Sequence, residues 1–385
     1  MKHLPFDYAI RNLGRSPKRL MLIVCGSALV CSLVLGSVAF SRGMEGSMNA
    51  SGLATNAFVL GSGSEESVER SEIPPSTGSI LAASVDGLAT LAGQPAVSNE
   101  IHAAVPVTLA DAVTTEEAPP VLVRGFESMA FAVHPQVRLR EGRWPMRGTD
   151  EVAAAPEALA KVPGATMGSR IVIAGVPFEV VGLFDAPGTV MHAEFWMRLD
   201  RLAQLTQRTT HSVVVAALGT ADIGDVDAFT SSRLDLESVA MTEQAYFTQL
   251  AEFFAPIRLL VLITAILISS GGVLGGVNAM YAAFASRVRE VGTLQALGFS
   301  RFAIASSLIL ESTVACIGGA LLACIVGLTI LDGVAIRFSM GSFGLEVDAT
   351  SILAALLAGI CLGLLGAIPA IVRCLTLPIP SALRS

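Results

Sequence analysis

Hydrophobic positions along this chain fall into four long unbroken runs, Leu20–Phe40, Ile257–Phe284, Phe302–Leu331 and Ser351–Val372. Each reaches at least about 20 residues, the length that carries a helix across a hydrocarbon core of roughly 30 Å. Core helices of soluble proteins are usually shorter and keep one polar face. The pattern therefore predicts four transmembrane helices. The first run also exceeds the apolar core of about 7–15 residues found in a cleaved secretion signal, so it reads as an uncleaved span.

Between the first and second runs the period changes. "PPVLVRGF" (119–126) and "HSVVVAAL" (211–218) read as strands, and "SRIVIAGVPFEVVGLF" (169–184) reads as a hairpin around an Ala-Gly-Val-Pro turn. Residues 79–93 and 242–254 read as helices, the second capped by Thr242 and running toward the next span as a stiff stalk, with Pro256 at the junction. Residues 41–80 are rich in Ser, Gly and Glu and read as partly loop, with 61–79 the least ordered. Ahead of the first span, Phe6, Ala9, Ile10 and Leu13 recur at helical spacing, the pattern of a short interfacial helix over 4–13. The fold class expected is an α+β membrane protein, four transmembrane helices with a large mixed α/β extracytoplasmic domain between the first and second.

Composition sharpens this picture. The 385 residues are 52% hydrophobic and only 15% charged, against about 25% charged in an ordinary soluble domain. Lys and Arg set orientation, because cytoplasmic loops carry their excess. Lys2, Arg11, Arg15, Lys18 and Arg19 precede the first span, Arg287, Arg289 and Arg301 sit in the 285–301 loop, and Arg373 and Arg384 follow the last span. The expected order is a cytoplasmic segment 1–19, span 20–40, outer domain 41–256, span 257–284, cytoplasmic loop 285–301, span 302–331, short outer loop 332–350, span 351–372 and cytoplasmic tail 373–385. The outer domain holds 13 basic and 26 acidic residues, a net of −13. Two readings of that charge stay open, solubility with orientation, or attraction of a cationic ligand. An acidic chain of this kind gives no sign of a nucleic-acid partner.

Candidate chemistry is sparse. The six cysteines all lie in or beside the membrane runs, so the outer domain is no disulfide scaffold. No Cys/His spacing reads as a zinc site. His102, His134, His192 and His211 are scattered and read as ordinary surface or core residues. No G-x-x-x-x-G-K-[ST] occurs, so this sequence offers no P-loop for ATP phosphates, and no catalytic constellation is visible. Gly271/Gly275 and Gly272/Gly276 form two overlapping G-x-x-x-G pairs and Gly359/Gly363 a third, spacings that let helix backbones approach within one chain or across a dimer. Glu311 stands about ten residues into the third span, where a carboxylate is costly and faces protein or water. Structural pairing, gating and snorkelling all remain open for it.

The most patterned polar stretch is "SRVREVGTLQALGFSRF" (286–302). Arg287 to Leu297 can form a helix, Gly298 is a stop signal, and Ser300 can cap the next helix. Val288, Val291, Leu294 and Leu297 step by three and spread over about half the circumference, enough for one face on this chain and one on another protein.

"SRVREVGTLQALGFSRFAIASSLILESTVACIGGALLACIVG" resembles the region between the second and third spans of MacB/FtsX-type ABC transporter permeases. The matching residues are Arg289, Glu290-Val291-Gly292, Leu294, Ala296-Leu297-Gly298, Ser300 and Leu310-Glu311. "IRNLGRSPKRLMLIVCGSALVCSLVLG" (10–36) resembles the family's first span, residues 139–184 its outer domain, and "PIPSALRS" its ending; residues 41–78 match nothing recognisable. The resemblance implies a coupling helix made of Arg287, Arg289, Glu290, Val291, Leu294, Leu297 and Gly298, with Leu294 as apolar anchor, resting on a separate cytoplasmic ABC ATPase subunit. ATP and Mg would bind that partner, and this chain would hold no cofactor. It further implies a second permease copy or paralogue, and a bacterial inner-membrane location with both termini cytoplasmic. The expected work is ATP-driven motion of the outer domain that extracts or exports an amphiphilic substrate (lipid, lipoprotein or peptide), with a periplasmic adaptor or substrate lipoprotein as further partner. Two alternatives stand beside it: a signalling subunit that activates an outer partner such as a cell-wall hydrolase, and a membrane-anchored receptor or scaffold without ATPase.

Overall fold

The computed structural model describes residues 17–110, 120–285, 288–338 and 341–376. The interfacial helix over 4–13, Arg287 and the tail beyond Thr376 lie outside them. The chain divides into two units, one of long apolar helices and one α/β domain spanning Met44–Phe254 with Ala335–Gly344.

In chain order the elements are α1 (Pro17–Ser51), β1 (Asn56–Gly61), α2 (Thr77–Ser84), β2 (Thr90–Leu91), β3 (Gln94–Pro95), β4 (Val97–Leu109), β5 (Pro120–Phe126), α3 (Ala130–Val133), β6 (Arg138–Gly142), β7 (Glu151–Ala154), α4 (Pro156–Ala160), β8 (Arg170–Ile173), β9 (Val176–Asp185), β10 (Phe195–Arg198), α5 (Leu199–Thr206), β11 (Val213–Ala217), α6 (Ile223–Ser232), β12 (Ser238–Thr242), α7 (Glu243–Phe253), α8 (Ala255–Ala285), α9 (Val288–Ala296), α10 (Arg301–Val326), β13 (Ala335–Phe338), β14 (Gly341–Gly344) and α11 (Ala349–Thr376). Helices α1, α8, α10 with its π-helical extension, and α11 contain the four stretches long and apolar enough to cross a membrane, Leu20–Ser51, Ala255–Gly275, Arg301–Leu331 and Ala349–Pro369.

Small residues let these helices approach. A Cβ on Gly319 would meet the carbonyl oxygen of Val24 at 2.6 Å and the amide nitrogen of Ala28 at 2.9 Å, so α10 and α1 touch nearly backbone to backbone. Gly363 faces Thr313 in the same way, and Ser312 Oγ donates to the Gly363 carbonyl at 2.8 Å. Gly359 packs on Ala320. With lipid as the alternative neighbour, such contacts and interhelical hydrogen bonds hold the bundle together in place of the hydrophobic effect. The described glycines of the two overlapping α8 pairs differ in their surroundings. Gly272 faces Val30 of α1, whereas Gly271 and Gly275 meet no atom of the described residues within 4 Å. Gly276, the fourth glycine expected to pack, lies outside the residues whose surroundings are described.

Helix α1 runs eleven residues past Phe40, where the Ser/Gly-rich composition suggested loop. No Pro interrupts it, Met44, Ser47 and Met48 are buried, and the Ser41 and Ser51 hydroxyls donate to carbonyls one turn back. The helix stops at Gly52, where a side chain would collide with the Glu243–Gln244 backbone.

In the α/β domain one ten-stranded sheet runs β12-β1-β11-β4-β5-β10-β7-β9-β6, with β8 pairing β4 and β9. Most pairs are antiparallel, while β10–β5 and β7–β9 are parallel. The β8–β9 hairpin closes on Ala174 and Gly175, both with positive φ, so Val176 and Pro177 belong to the strand and not the turn. Two left-handed residues in a row suit the twist of a two-residue hairpin. The main core gathers around Trp196, Phe126, Phe178 and Phe184.

Two expectations need correction. Residues 61–79 are ordered: Ile73 and His211 exchange backbone hydrogen bonds of 2.9 Å, and Arg208 donates to the carbonyl oxygens of Ser71 and Glu69. The helix expected over 79–93 ends at Ser84, then turns through Gly87 (φ +86°) into β2. The 332–350 loop carries the β13–β14 hairpin.

Gly319→Val should therefore destabilise the helical unit by about 2 kcal/mol or more, the cost of overpacking a close contact. Gly271→Val should stay within about 0.5 kcal/mol. Denaturant titration of the purified full-length chain in lipid nanodiscs checks the difference.

Candidate functional site

The 286–302 stretch folds as a short helix, a glycine break and a capped helix. Gly298 has φ +89°, its N–H donates to the Gln295 carbonyl, and Ser300 Oγ accepts from the Ala303 N–H at 3.1 Å. Val291 is buried and Leu294 half-buried against Val30, Ile304, Ala305 and Leu308. Leu294, expected as the apolar anchor, is thus shared: part of its surface fastens α9 to this chain's own helices and the rest stays accessible. Arg289, Glu290 and Leu297 are exposed, Leu297 by 63%. Glu311 is buried on α10 beside Ser312 and is engaged there, not free.

A second constellation, unseen in the sequence, lies inside the α/β domain. His102, Arg124 and Trp196 sit side by side on β4, β5 and β10, because His102 pairs with Arg124 and Arg124 with Trp196. The two-residue period of a strand places Glu100 on the face of His102 and Glu194 on the face of Trp196. Arg124, only 2% exposed, donates through Nε and Nη2 to Glu194 at 2.7 and 2.8 Å. Its Nη1 donates to Glu100 at 2.7 Å. The Trp196 indole N–H also donates to Glu194, at 2.8 Å.

His134, from the end of α3, adds a bridge. Its Nε2 is 2.9 Å from Glu100, and its Nδ1 is 3.8 Å from Glu243 Oε1. Among the described residues neither of those last two atoms has a hydrogen-bond partner. The other oxygen of Glu243 accepts from the Leu53 N–H and Asn56 Nδ2. Burial opposes ionisation of Glu100 and Glu194. His134 and Arg124 outweigh it for Glu100, and Arg124 for Glu194, so both carboxyls are held below the usual range. Burial, with Arg124 adding to it, pushes the His102 imidazole down. Burial raises Glu243, against the pull of His134. The histidines taken as scattered therefore divide: two of them, His102 and His134, join one buried ion network. The one sequence signal was a lone Arg inside the apolar strand "VLVRGF".

One side of this network opens onto a cavity of about 70 Å³ with polar atoms from Glu69, His102, Arg124 and Glu194 and otherwise apolar walls. Among the described residues no group of His, Cys, Asp and Glu could hold a metal ion.

Four helices able to cross a bilayer, with an α/β domain inserted between the first and second, define a multi-pass membrane protein. The MacB-like periplasmic core domain model matches residues 20–229, more than half of the chain, and the FtsX-like permease C-terminal model matches 262–379. The chain belongs to the MacB/FtsX-type permease family and is a permease subunit of an ABC transporter. It is similar to the periplasmic region of MacB from Actinobacillus actinomycetemcomitans, at 8% identity and TM-score 0.39, covering 51% of this chain and 92% of that one. It is also similar to the extracellular domain of the ABC-type transporter YknZ from Gram-positive bacteria (15% identity, TM-score 0.37, covering 49% and 98%). A domain of a permease protein from Porphyromonas gingivalis is a third (11%, 0.34, covering 49% and 87%). No curated protein matches this chain.

Arg124→Met leaves the buried Glu194 without its cation and Glu100 with only its histidine partners, and should cost about 3–5 kcal/mol. In the wild type, Glu100 and Glu194 have lowered folded values. Their stabilisation is present above the ordinary glutamate value of about 4.3 and is lost as pH falls through the folded ones. In Arg124→Met the sign reverses for Glu194, since a buried carboxyl that has lost its cation prefers the proton, and the variant should gain stability as pH falls from 7 toward 5. Thermal unfolding of the full-length protein, followed by tryptophan fluorescence across pH, reads both.

Proposed function

We propose that this permease subunit carries ATP-driven motion from a cytoplasmic ATPase to its α/β domain, and so extracts or exports an amphiphilic substrate from the outer side of the inner membrane of a bacterium. Helix α9 is the coupling element, and ATP and Mg belong to the partner. A second copy or a paralogue completes the transporter, both termini are cytoplasmic, and residues 41–256 are extracytoplasmic. The observation that carries this reading is the two-sidedness of α9. Val291 and Leu294 pack it against α10, while Arg289, Glu290 and Leu297 are exposed. Packed interiors have low compressibility and pass displacement on. A push on the exposed face would therefore move α10 with α9, and the rest of the helical unit through their shared contacts.

Arg289→Glu combined with Leu297→Ala tests it. A reversed interfacial charge and a truncated apolar anchor together should weaken ATPase binding at least about tenfold. Folding should be unaffected, since both side chains are exposed. The measurement is the amount of co-expressed ATPase retained on the purified permease and its turnover. Wild-type levels of both would remove the coupling role and favour a receptor or scaffold without ATPase. Orientation is checked separately: in a cysteine-free background, a cysteine at Ser64 should react with an impermeant thiol reagent once the outer membrane is opened, and one at Ala296 should not.

A further inference from the structure

The cavity beside the buried ion network has the build of a ligand site. Its walls are apolar, from Phe58, Leu122 and Val190 of the sheet region and Tyr246, Phe247 and Leu250 of α7. Its charged lining is biased toward one sign. Arg124 is tied to both Glu194 and Glu100, so two carboxylates already face one guanidinium. Glu69 adds a third carboxyl, half-buried in the cavity wall, for which neither a hydrogen bond nor an ion pair is found among the described residues. Burial and the nearby Glu194 push the Glu69 carboxyl above its ordinary value, against Arg70. Both penalties would be relieved by a cation. An anionic head would meet the carboxylates of Glu69 and Glu194 and a guanidinium that is already paired, and a plain hydrocarbon would leave Glu69 unanswered.

We propose that this cavity binds the alkylammonium end of a cationic amphiphile, with the ammonium against Glu69 and Glu194 and the carbon chain among the aromatic walls. Size sets the scale. The volume of about 70 Å³ is roughly half that of an engineered apolar cavity that admits benzene, about 150 Å³, so it takes a few carbon atoms and not a whole large ligand. Met44 and Met48 of α1, which also line it, are flexible enough to adjust to the part that emerges. The domain's net charge of −13 over residues 41–256 would concentrate cations near the mouth. The inference rests on the proposed function for its biological meaning, because it names the class of amphiphile. Its test needs neither ATP nor the ATPase, so the two can fail separately.

The probes are n-butylammonium, n-butanol and n-butyrate, titrated onto the full-length protein in nanodiscs by ligand-observed NMR, with empty nanodiscs as reference. The wild type should bind butylammonium at least about fivefold more tightly than butanol, and butanol more tightly than butyrate. Glu69→Gln, at a half-exposed position that the fold tolerates, should bring the amine down to the level of the alcohol. Val68→Phe, which fills the cavity, should remove both. Equal affinity of the wild type for amine and alcohol would overturn the proposal, and so would a fivefold preference that survives in Glu69→Gln.

Discussion

A guanidinium buried away from water must be neutralised where it stands, and the α/β domain is organised around that constraint at Arg124. The uncompensated charge would cost several kcal/mol, so its neighbours are not interchangeable. Glu194 answers it with a two-point contact from the extended residue just before β10, and Glu100 answers it from β4. Each strand must then hold its register to within one residue, because a slip of one would turn the carboxylate to the opposite face. Close packing of Arg124 over Trp196, 5.3 Å from the ring centroid, joins the same network to the aromatic core formed by Phe126, Phe131, Trp144 and Phe184. Register, core and charge thus constrain one another.

The helical unit obeys a different constraint. In lipid every backbone group must be satisfied within its own helix, and apolar side chains gain nothing by leaving hydrocarbon for protein. What remains is closeness and polar contact. Gly319 against α1, Gly363 against Thr313, and Ser312 donating to Gly363 supply both. α8 is the exception among the four, since Gly271 and Gly275 face open space and large apolar side chains such as Leu260, Leu267 and Leu274 are exposed. Lipid, or the second permease of the proposed assembly, would complete that surface.

The sequence showed what depends on composition and local period. Four spans, the 169–184 hairpin, the strands at 119–126 and 211–218, the Thr242 cap and the Gly298–Ser300 break are all local signals, and each occurs in the structure. What could not be read depends on partners far away in the chain. The polar segment 61–79 looked disordered because its order comes from Arg208, 137 residues from Ser71. Strand β1 is buried at every position, so its text lacks the alternation that marks a strand. The ion network joins Glu100, Arg124, His134, Glu194 and Glu243, and no spacing along the chain foretells that they meet. How far Leu294 turns toward this chain's own helices is equally illegible, because a step of three leaves the facing direction open until α10 is in place.

Glu243 shows how these levels meet. It is the first residue of α7, whose last residue lies two before the start of α8. One carboxylate oxygen accepts from the Leu53 N–H and Asn56 Nδ2, just past the end of α1. The chain therefore enters the α/β domain and leaves it at points held by a single buried side chain. The other oxygen faces His134, which in turn contacts Glu100 and so Arg124. A buried polar network of this kind is stable only when each member is satisfied, and here one link is already long, with His134 Nδ1 and Glu243 Oε1 3.8 Å apart and otherwise unpartnered.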